Sequence, residues 1–351
     1  MSINWTNQLN LRVLITGGAG FIGGALIRRL LSTTSVTIFN LDKIGYASDL
    51  TGINRYLKSN NIKNRYHLIK EDLYNRNKLD ELIPAIDPDI VFHLAAESHV
   101  DKSIAGPEIF LKSNVLGTFH LLEALRSYWE KLSIQRKENF RFHHVSTDEV
   151  YGTLNTTNKF NEQSQYAPRS PYSASKASSD HLVMAWFHTY GFPGLITNCS
   201  NNYGPWQFPE KLIPLAISNA INGQPIPMYG DGLQIRDWLY VDDHINALLL
   251  AASKGLIGES YCIGGYGERT NDDVLRSICT ILDELRPRNE SYVHLITSVK
   301  DRLGHDRRYA INSSKIQYEL GWKAKTDFTE GLKMTVEWYL RNVHWLNKKI
   351  K

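Results

Sequence analysis

Cysteine is scarce in this chain: 351 residues hold three, Cys199, Cys262 and Cys279. No two stand in a Cys-x-x-Cys pair, and three cannot all pair within one chain. Neither a disulfide framework nor a zinc site is supported, and a reducing cytoplasm is expected. No apolar run approaches the roughly 18 residues of a membrane span, and Met1 to Asn10 lacks the cationic start and apolar stretch of a signal peptide. A dominant charge is missing as well. Lys plus Arg number 40 against 36 Asp plus Glu, a formal net charge of +4, spread too evenly for a nucleic-acid surface. The one local basic excess, Lys348, Lys349 and Lys351, reads as a solvated terminus. There is no internal repeat and no low-complexity linker.

What is present is the composition of a soluble globular protein, 42% hydrophobic and 22% charged. The length exceeds the roughly 250 to 300 residues at which one core stops growing, so two lobes are expected. Apolar runs at 11–16, 36–41, 90–95 and 142–146 read as buried strands. Helical spacing over 21–31, 107–126 and 171–190 separates them. This alternation calls for an α/β fold, a Rossmann-type doubly wound parallel sheet covered on both faces. After Tyr203 glycine and proline crowd together from Gly204 to Gly230, and the helices expected there include ones near 214–222, 271–285 and 328–341. The division read from this is a dinucleotide-binding domain over 1–200 and a smaller C-terminal α+β substrate lobe over 201–351. About 237–265 returns to the first sheet.

Gly18-Ala19-Gly20-Phe21-Ile22-Gly23 fits G-x-G-x-x-G, and Gly17 also gives G-x-x-G-x-x-G. The run follows a strand and opens a helix, where glycines let backbone N–H groups approach a pyrophosphate at the helix N-terminus. Asp42, at the end of the second strand, offers a carboxylate to the adenosine ribose and would repel a 2′-phosphate. NAD is therefore expected over NADP, with Lys43 pulling the other way.

Ser170-Pro171 reads as a helix N-cap and first position, which puts Tyr172 and Lys176 one turn apart on one face. A tyrosine must lose about three pK units to act as a base at neutral pH, and a neighbouring ammonium supplies part of that. Taken as an isolated pair they fit a surface helix better. Asp148 and Glu149 follow a buried strand at Thr147. For both to face one site the chain must leave the strand at about Thr147, although a helix cap with acidic first-turn residues has the same pattern. Arg236 offers a planar fork for diphosphate oxygens, with an ion pair to Asp231 or Asp237 as the alternative.

From Arg12 to Trp338 the sequence resembles the extended short-chain dehydrogenase/reductase family and, within it, the nucleoside-diphosphate-glucose 4,6-dehydratases. The resemblance rests on the glycine turn, Asn40-Leu41-Asp42-Lys43, the stretch from Leu94 to Asp101, Ser146 to Gly152, Tyr172-Ser173-Ala174-Ser175-Lys176, Asn201 to Pro205, Gln234 to Trp238 and Asp301 to Tyr309. It implies an NAD-dependent lyase acting on a nucleotide sugar, dTDP-glucose or UDP-glucose, and a homodimer formed through the two long helices. It implies that Tyr172, with Lys176 and Thr147, takes the 4-hydroxyl proton while hydride leaves C4. Glu149 then removes the C5 proton, and Asp148 protonates the departing 6-hydroxyl. Gly17, Gly20, Phe21, Ile22, Gly23, Asp42, Lys43, Asp72, Leu73, Leu94, Ala95, Ala96, Ser98, Ser113, Tyr172, Lys176 and Asn202 would hold the cofactor. Ser98, Thr147, Asn201, Lys211, Leu212, Pro227, Tyr229, Arg236, Asn271, Arg302 and His305 would hold the substrate. No metal is implied. Leu303 stands where the family has proline and Ser113 where it has threonine, and His305 fits a core or surface histidine as well. A nucleotide-sugar 4-epimerase shares the turn, Tyr and Lys but needs no acid and base for water loss. A non-catalytic NAD(H)-sensing protein would not need Tyr172, Lys176 and Thr147 together.

Overall fold

The computed structural model describes residues 11–62, 64–155 and 157–350. The expectations on Met1 to Asn10 and on Lys351 lie outside the described residues. The strands are β1 (Arg12–Thr16), β2 (Thr37–Asp42), β3 (Tyr66–Lys70), β4 (Ile90–His93), β5 (Arg141–Thr147), β6 (Gly194–Cys199), β7 (Asn201–Tyr203), β8 (Ile226–Tyr229), β9 (Ile235–Tyr240), β10 (Ser260–Ile263), β11 (Glu268–Thr270) and β12 (Ile296–Val299). Seven of them form one parallel sheet in the order β10-β6-β5-β4-β1-β2-β3. The order reverses between β1 and β4, and there the loops at the carboxyl ends part to leave a crevice. β1 reads as a continuous apolar run because both its faces are covered: Val13, Leu14 and Ile15 are fully buried. On one face lie Leu26, Ile27 and Leu30 of the helix Phe21–Thr33 with Leu248 and Ala251 of the helix Val241–Lys254. On the other lie Leu79, Leu121, Leu125 and Val183. A separate core of Tyr203, Ile213, Ile217, Val274, Leu332 and Tyr339 supports the smaller sheets β11-β9-β7 and β12-β8.

Two expectations are corrected. The strand read over 90–95 ends at His93, because the Leu94 and Ala95 backbone bends over the glycine turn, with their N–H groups donating to the Thr16 carbonyl and hydroxyl at 3.1 and 3.3 Å. The helix read over 107–126 runs from Glu108 to Trp129 and is π-helical over Leu111–Leu116. That wider turn frees the Asn114 carbonyl, which accepts from the Thr118 and Ser179 hydroxyls at 2.5 and 2.7 Å. Among the described residues no helix is long and apolar enough to cross a membrane.

Candidate active site

The glycine turn is built by close approach. Gly17 has φ +74°, and a Cβ there would sit on the Ala95 backbone; one on Gly23 would collide with the Gly17 carbonyl oxygen. No side chain caps the helix Phe21–Thr33, so its first N–H groups remain available to an anion. Asp42 braces the turn as well as facing the crevice: its carboxylate accepts from the Ala19 N–H (2.9 Å), the Ile44 N–H (2.8 Å) and the Ser48 hydroxyl (3.2 Å). Lys43 Nζ lies 2.6 Å from Glu97 Oε1, so its charge is matched within the protein instead of being offered to a 2′-phosphate.

Two adjoining cavities, of about 330 and 380 Å³, open above this turn. The first is walled by every residue expected to hold the cofactor, from Gly17 through Ser113 to Asn202, together with Thr147, Tyr172 and Lys176. The second is walled by Leu212, Pro227, Tyr229, Arg236, Asn271, Arg302 and His305. Glu149, Asn201, Asn202, Gln207, Glu210 and Lys211 line both. Asp148 is in neither wall: it is 1% exposed, and its Oδ2 has no hydrogen-bond partner.

The chain leaves β5 at Thr147, whose hydroxyl accepts from the Glu149 N–H at 3.3 Å and caps a 3₁₀ turn over Asp148–Tyr151. This turn takes both residues off the strand, with Glu149 reaching both cavities and Asp148 buried behind their walls. The helix Pro171–Tyr190 starts on a capping box in which Ser170 Oγ accepts the Ser173 N–H (3.0 Å) and Ser173 Oγ accepts the Ser170 N–H (2.9 Å). Tyr172 and Lys176 are 8% and 4% exposed, which removes the surface-pair alternative.

The electrostatics correct one expectation. Burial, followed by the Glu149 charge, pushes the Tyr172 phenol well above its usual range, with the Thr147 hydrogen bond opposing. Lys176 does not overcome this, because its ammonium is drawn to β5: Nζ donates to the Val145 carbonyl at 3.0 Å and lies 3.3 Å from His144 Nε2. Burial lowers its own pKa. The two carboxyls differ. Burial, then Glu149 and Asp237, holds Asp148 well above the carboxylate range. Glu149 is also raised by burial but is opposed by Lys211, Arg236 and Arg302.

Arg236 forms neither anticipated ion pair. Asp231 is held by Arg307 at 2.9 Å, and Asp237 accepts the Gly267 N–H at 2.8 Å. The Arg236 guanidinium lies 4.3 Å from the Tyr309 ring centroid and donates to the Ile235 and Asp306 carbonyls. Arg302 forms a two-pronged pair with Asp101 and lies over the Tyr229 ring. Lys211 Nζ donates to the Ser98 carbonyl at 2.7 Å. His305 Nδ1 is 2.6 Å from Asp301 Oδ1, and burial lowers its pKa. Leu303 is 72% exposed and outside the walls, so the departure from proline does not reach the cavity. Glu210 and Tyr309 were not foreseen. Glu210 lines both cavities and Tyr309 the second; the available signals were the position of Glu210 beside Lys211 and of Tyr309 at the end of the 301–309 stretch.

Residues 14–335 match the family model described as GDP-mannose 4,6 dehydratase. The chain is 52% identical over 346 residues to the dTDP-glucose 4,6-dehydratase of Salmonella typhimurium, covering 96% of this chain and 95% of that one. A solved structure of the dTDP-glucose 4,6-dehydratase of Streptomyces venezuelae with NAD and TYD bound is similar at a TM-score of 0.86 and 38% identity, covering 97% of this chain and 100% of that one. The UDP-glucose 4-epimerase of Thermotoga maritima is also similar, at a TM-score of 0.82 and 26% identity, covering 95% and 100%. Backbone shape therefore does not separate dehydratase from epimerase, and the side chains at the end of β5 become the informative feature.

Proposed function

The chain belongs to the GDP-mannose 4,6-dehydratase family, and on that premise we propose that it converts dTDP-glucose to dTDP-4-keto-6-deoxyglucose and water. The observation that carries this reading is the Asp148–Glu149 pair on the turn after β5, next to Tyr172 and Lys176. An epimerase needs no such pair, and a sensor needs none of the four.

NAD fits the first cavity: side chains at Gly17 or Gly23 would fill its cradle, Asp42 lies in its wall and Lys43 is neutralised. When bound, it supplies an acceptor that takes hydride from the sugar C4 and gives it back to C6, so no net oxidation occurs. Tyr172 would take the proton of the 4-hydroxyl, with Thr147 sharing that hydrogen bond and Lys176 holding positive charge nearby. The new ketone acidifies the C5 proton. Glu149, the carboxyl faced by three cations, would remove it, and a proton would return to C5 once hydride has reached C6. Asp148, whose carboxyl burial and the neighbouring charges hold well above the usual range, would turn from behind the cavity wall to donate to the 6-hydroxyl as water departs. Arg236 and Lys211 would face the diphosphate.

A dTDP rather than UDP substrate is supported by the names of the similar proteins. Homodimerisation through the helix of Glu108–Phe110, Leu111–Leu116 and Gly117–Trp129 together with Pro171–Tyr190 is supported by the exposure of Ile109, Leu111 and Leu116 on the first; sedimentation tests it. A reducing, cytoplasmic setting is supported by three buried free thiols. Function is tested by separate incubations with dTDP-glucose and UDP-glucose, following the alkaline absorbance of the 4-keto-6-deoxy product. The faster sugar names the substrate, and silence with both refutes the dehydratase.

A further inference from the structure

One buried carboxylate next to this site has no part in the roles above. Asp180 stands one turn beyond Lys176 on the helix Pro171–Tyr190 and is 1% exposed. Its Oδ2 accepts from the Ser146 hydroxyl (2.8 Å), the Tyr166 hydroxyl (2.9 Å) and the Asn198 amide (3.1 Å). Its Oδ1 lies 3.1 Å from His144 Nε2, the same nitrogen that lies 3.3 Å from Lys176 Nζ. Burying an ion so completely is costly unless donors surround it, and here donors converge from β5, β6 and the segment before the helix.

His144 Nε2 cannot donate to Asp180 and accept from Lys176 at once. Its Nδ1 is buried with no partner. Asp180 Oδ1 is likewise without a hydrogen-bond partner, whereas Lys176 Nζ to His144 Nε2 meets hydrogen-bond geometry, so Nε2 accepts from Lys176. Lys176 is anchored by the Val145 carbonyl and by His144 Nε2, with the remaining ammonium N–H free to turn toward the cavity.

We propose that Asp180 is a positioning residue: its charge, held by Ser146, Tyr166 and Asn198 and lying against His144, fixes the Lys176 ammonium against β5 and keeps it charged beside Tyr172. This rests on the roles given to Tyr172 and Lys176 above. Every titratable group facing the pair supports it. From β4, His93 is driven well below its usual range by burial, and from β5 burial takes His144 down to about 4. From β6, burial pushes Cys199 up to about 12. Burial raises Tyr166 and Tyr151, which face Asp180, and Tyr172 beside Lys176. At neutral pH all of these are uncharged. Burial pulls Lys176 toward neutrality, and Asp180 is the first charge opposing it. Burial also pushes Asp180 up, but the adjacent His144 ring, the Lys176 charge and the Ser146 hydrogen bond more than offset it, so its pKa lies below the usual carboxylate value.

Asp180→Asn keeps the shape and removes the charge. Lys176 then loses its proton at lower pH and Tyr172 holds its proton to higher pH. The acidic limb of the kcat profile should move up by about one unit, a loss of about tenfold in kcat at pH 7.5, with KM for the sugar changed less than about twofold. Tyr166→Phe, which removes one donor, should move the limb the same way by less, and decides the matter if Asp180→Asn does not fold. A limb that stays in place, or a loss equal at every pH, overturns the proposal. NAD affinity measured by calorimetry against pH is independent of sugar turnover. Since Lys176 lines that cavity, the pH at which affinity falls should drop by about one unit in Asp180→Asn. If the wild type turns over neither sugar the dehydratase reading fails, while this second profile still judges Asp180: no movement refutes its role.

Discussion

Replacing Asp148 by Asn should stabilise the protein at pH 8 while arresting water loss. The carboxyl is 1% exposed, accepts only from the Thr147 hydroxyl at 3.3 Å, and leaves Oδ2 without a donor. Burial and then the Glu149 and Asp237 charges hold its pKa well above the usual range. An acid whose folded pKa is raised binds its proton more tightly when folded. It therefore weakens the fold as pH rises from the unfolded value of about 3.9 through the folded one, and above that the whole penalty is present. Asn has the same size, stays neutral and can turn an amide toward the two carboxylates. Relieving one unsatisfied buried polar atom is worth about 1–3 kcal/mol. With an unfolding entropy of about 2.1 cal/mol/K per residue over a chain of 351, a gain of about 2 kcal/mol raises Tm by about 3 °C. Below about pH 3 the carboxyl is protonated in both states and the gain should vanish, so at pH 4.5 it should already be smaller than at pH 8. Calorimetric melting of both proteins at pH 4.5 and pH 8 measures this. A lower Tm for the variant at pH 8, or a difference that does not change with pH, would refute the account of Asp148 as a carboxyl held protonated at a cost to the fold.

Glu149→Gln should let the reduced-nicotinamide absorbance appear and persist while product formation falls by about 10²–10⁴-fold, the usual worth of a general base. Tyr172→Phe should abolish that absorbance, and equal signals from both variants would sink the division of roles. Arg236→Lys loses the two carbonyl anchors and the stacking on Tyr309; steady-state kinetics should show KM raised about tenfold or more, since hydrogen bonds to charged groups are worth about 1.5–3 kcal/mol, with kcat changed much less. Gly23→Ala forces the turn off the Gly17 carbonyl. Overpacking of this kind costs about 1–3 kcal/mol, so the protein should still melt cooperatively while calorimetry detects NAD affinity reduced by about 100-fold.

The features legible in the order of residues are those of local chemistry. The glycine turn, Asp42 at the end of β2 and the helix cap at Ser170-Pro171 are each specified within a few residues, and the cap places Tyr172 and Lys176 one turn apart. The exit from β5 at Thr147 is legible on the condition that both carboxyls serve one site. The π turn over Leu111–Leu116 is not, because its cause is Asn114 meeting Glu97 and Ser175, partners from other segments.

Sequence by itself determined the layered α/β fold, the cofactor turn and the residue types of the reaction, since these follow from periodicity and short-range hydrogen bonds. Tertiary structure alone decided the state of each group. Burial reverses the expected direction for Tyr172 and separates Asp148 from Glu149. Lys43 is matched by Glu97, Arg236 is freed of Asp231 and Asp237, and Arg302 is joined to Asp101 across 201 residues. Asp180 is gathered behind Lys176 in the same way. Desolvation and charge act through space, and the distances that set them are fixed only when remote segments pack together.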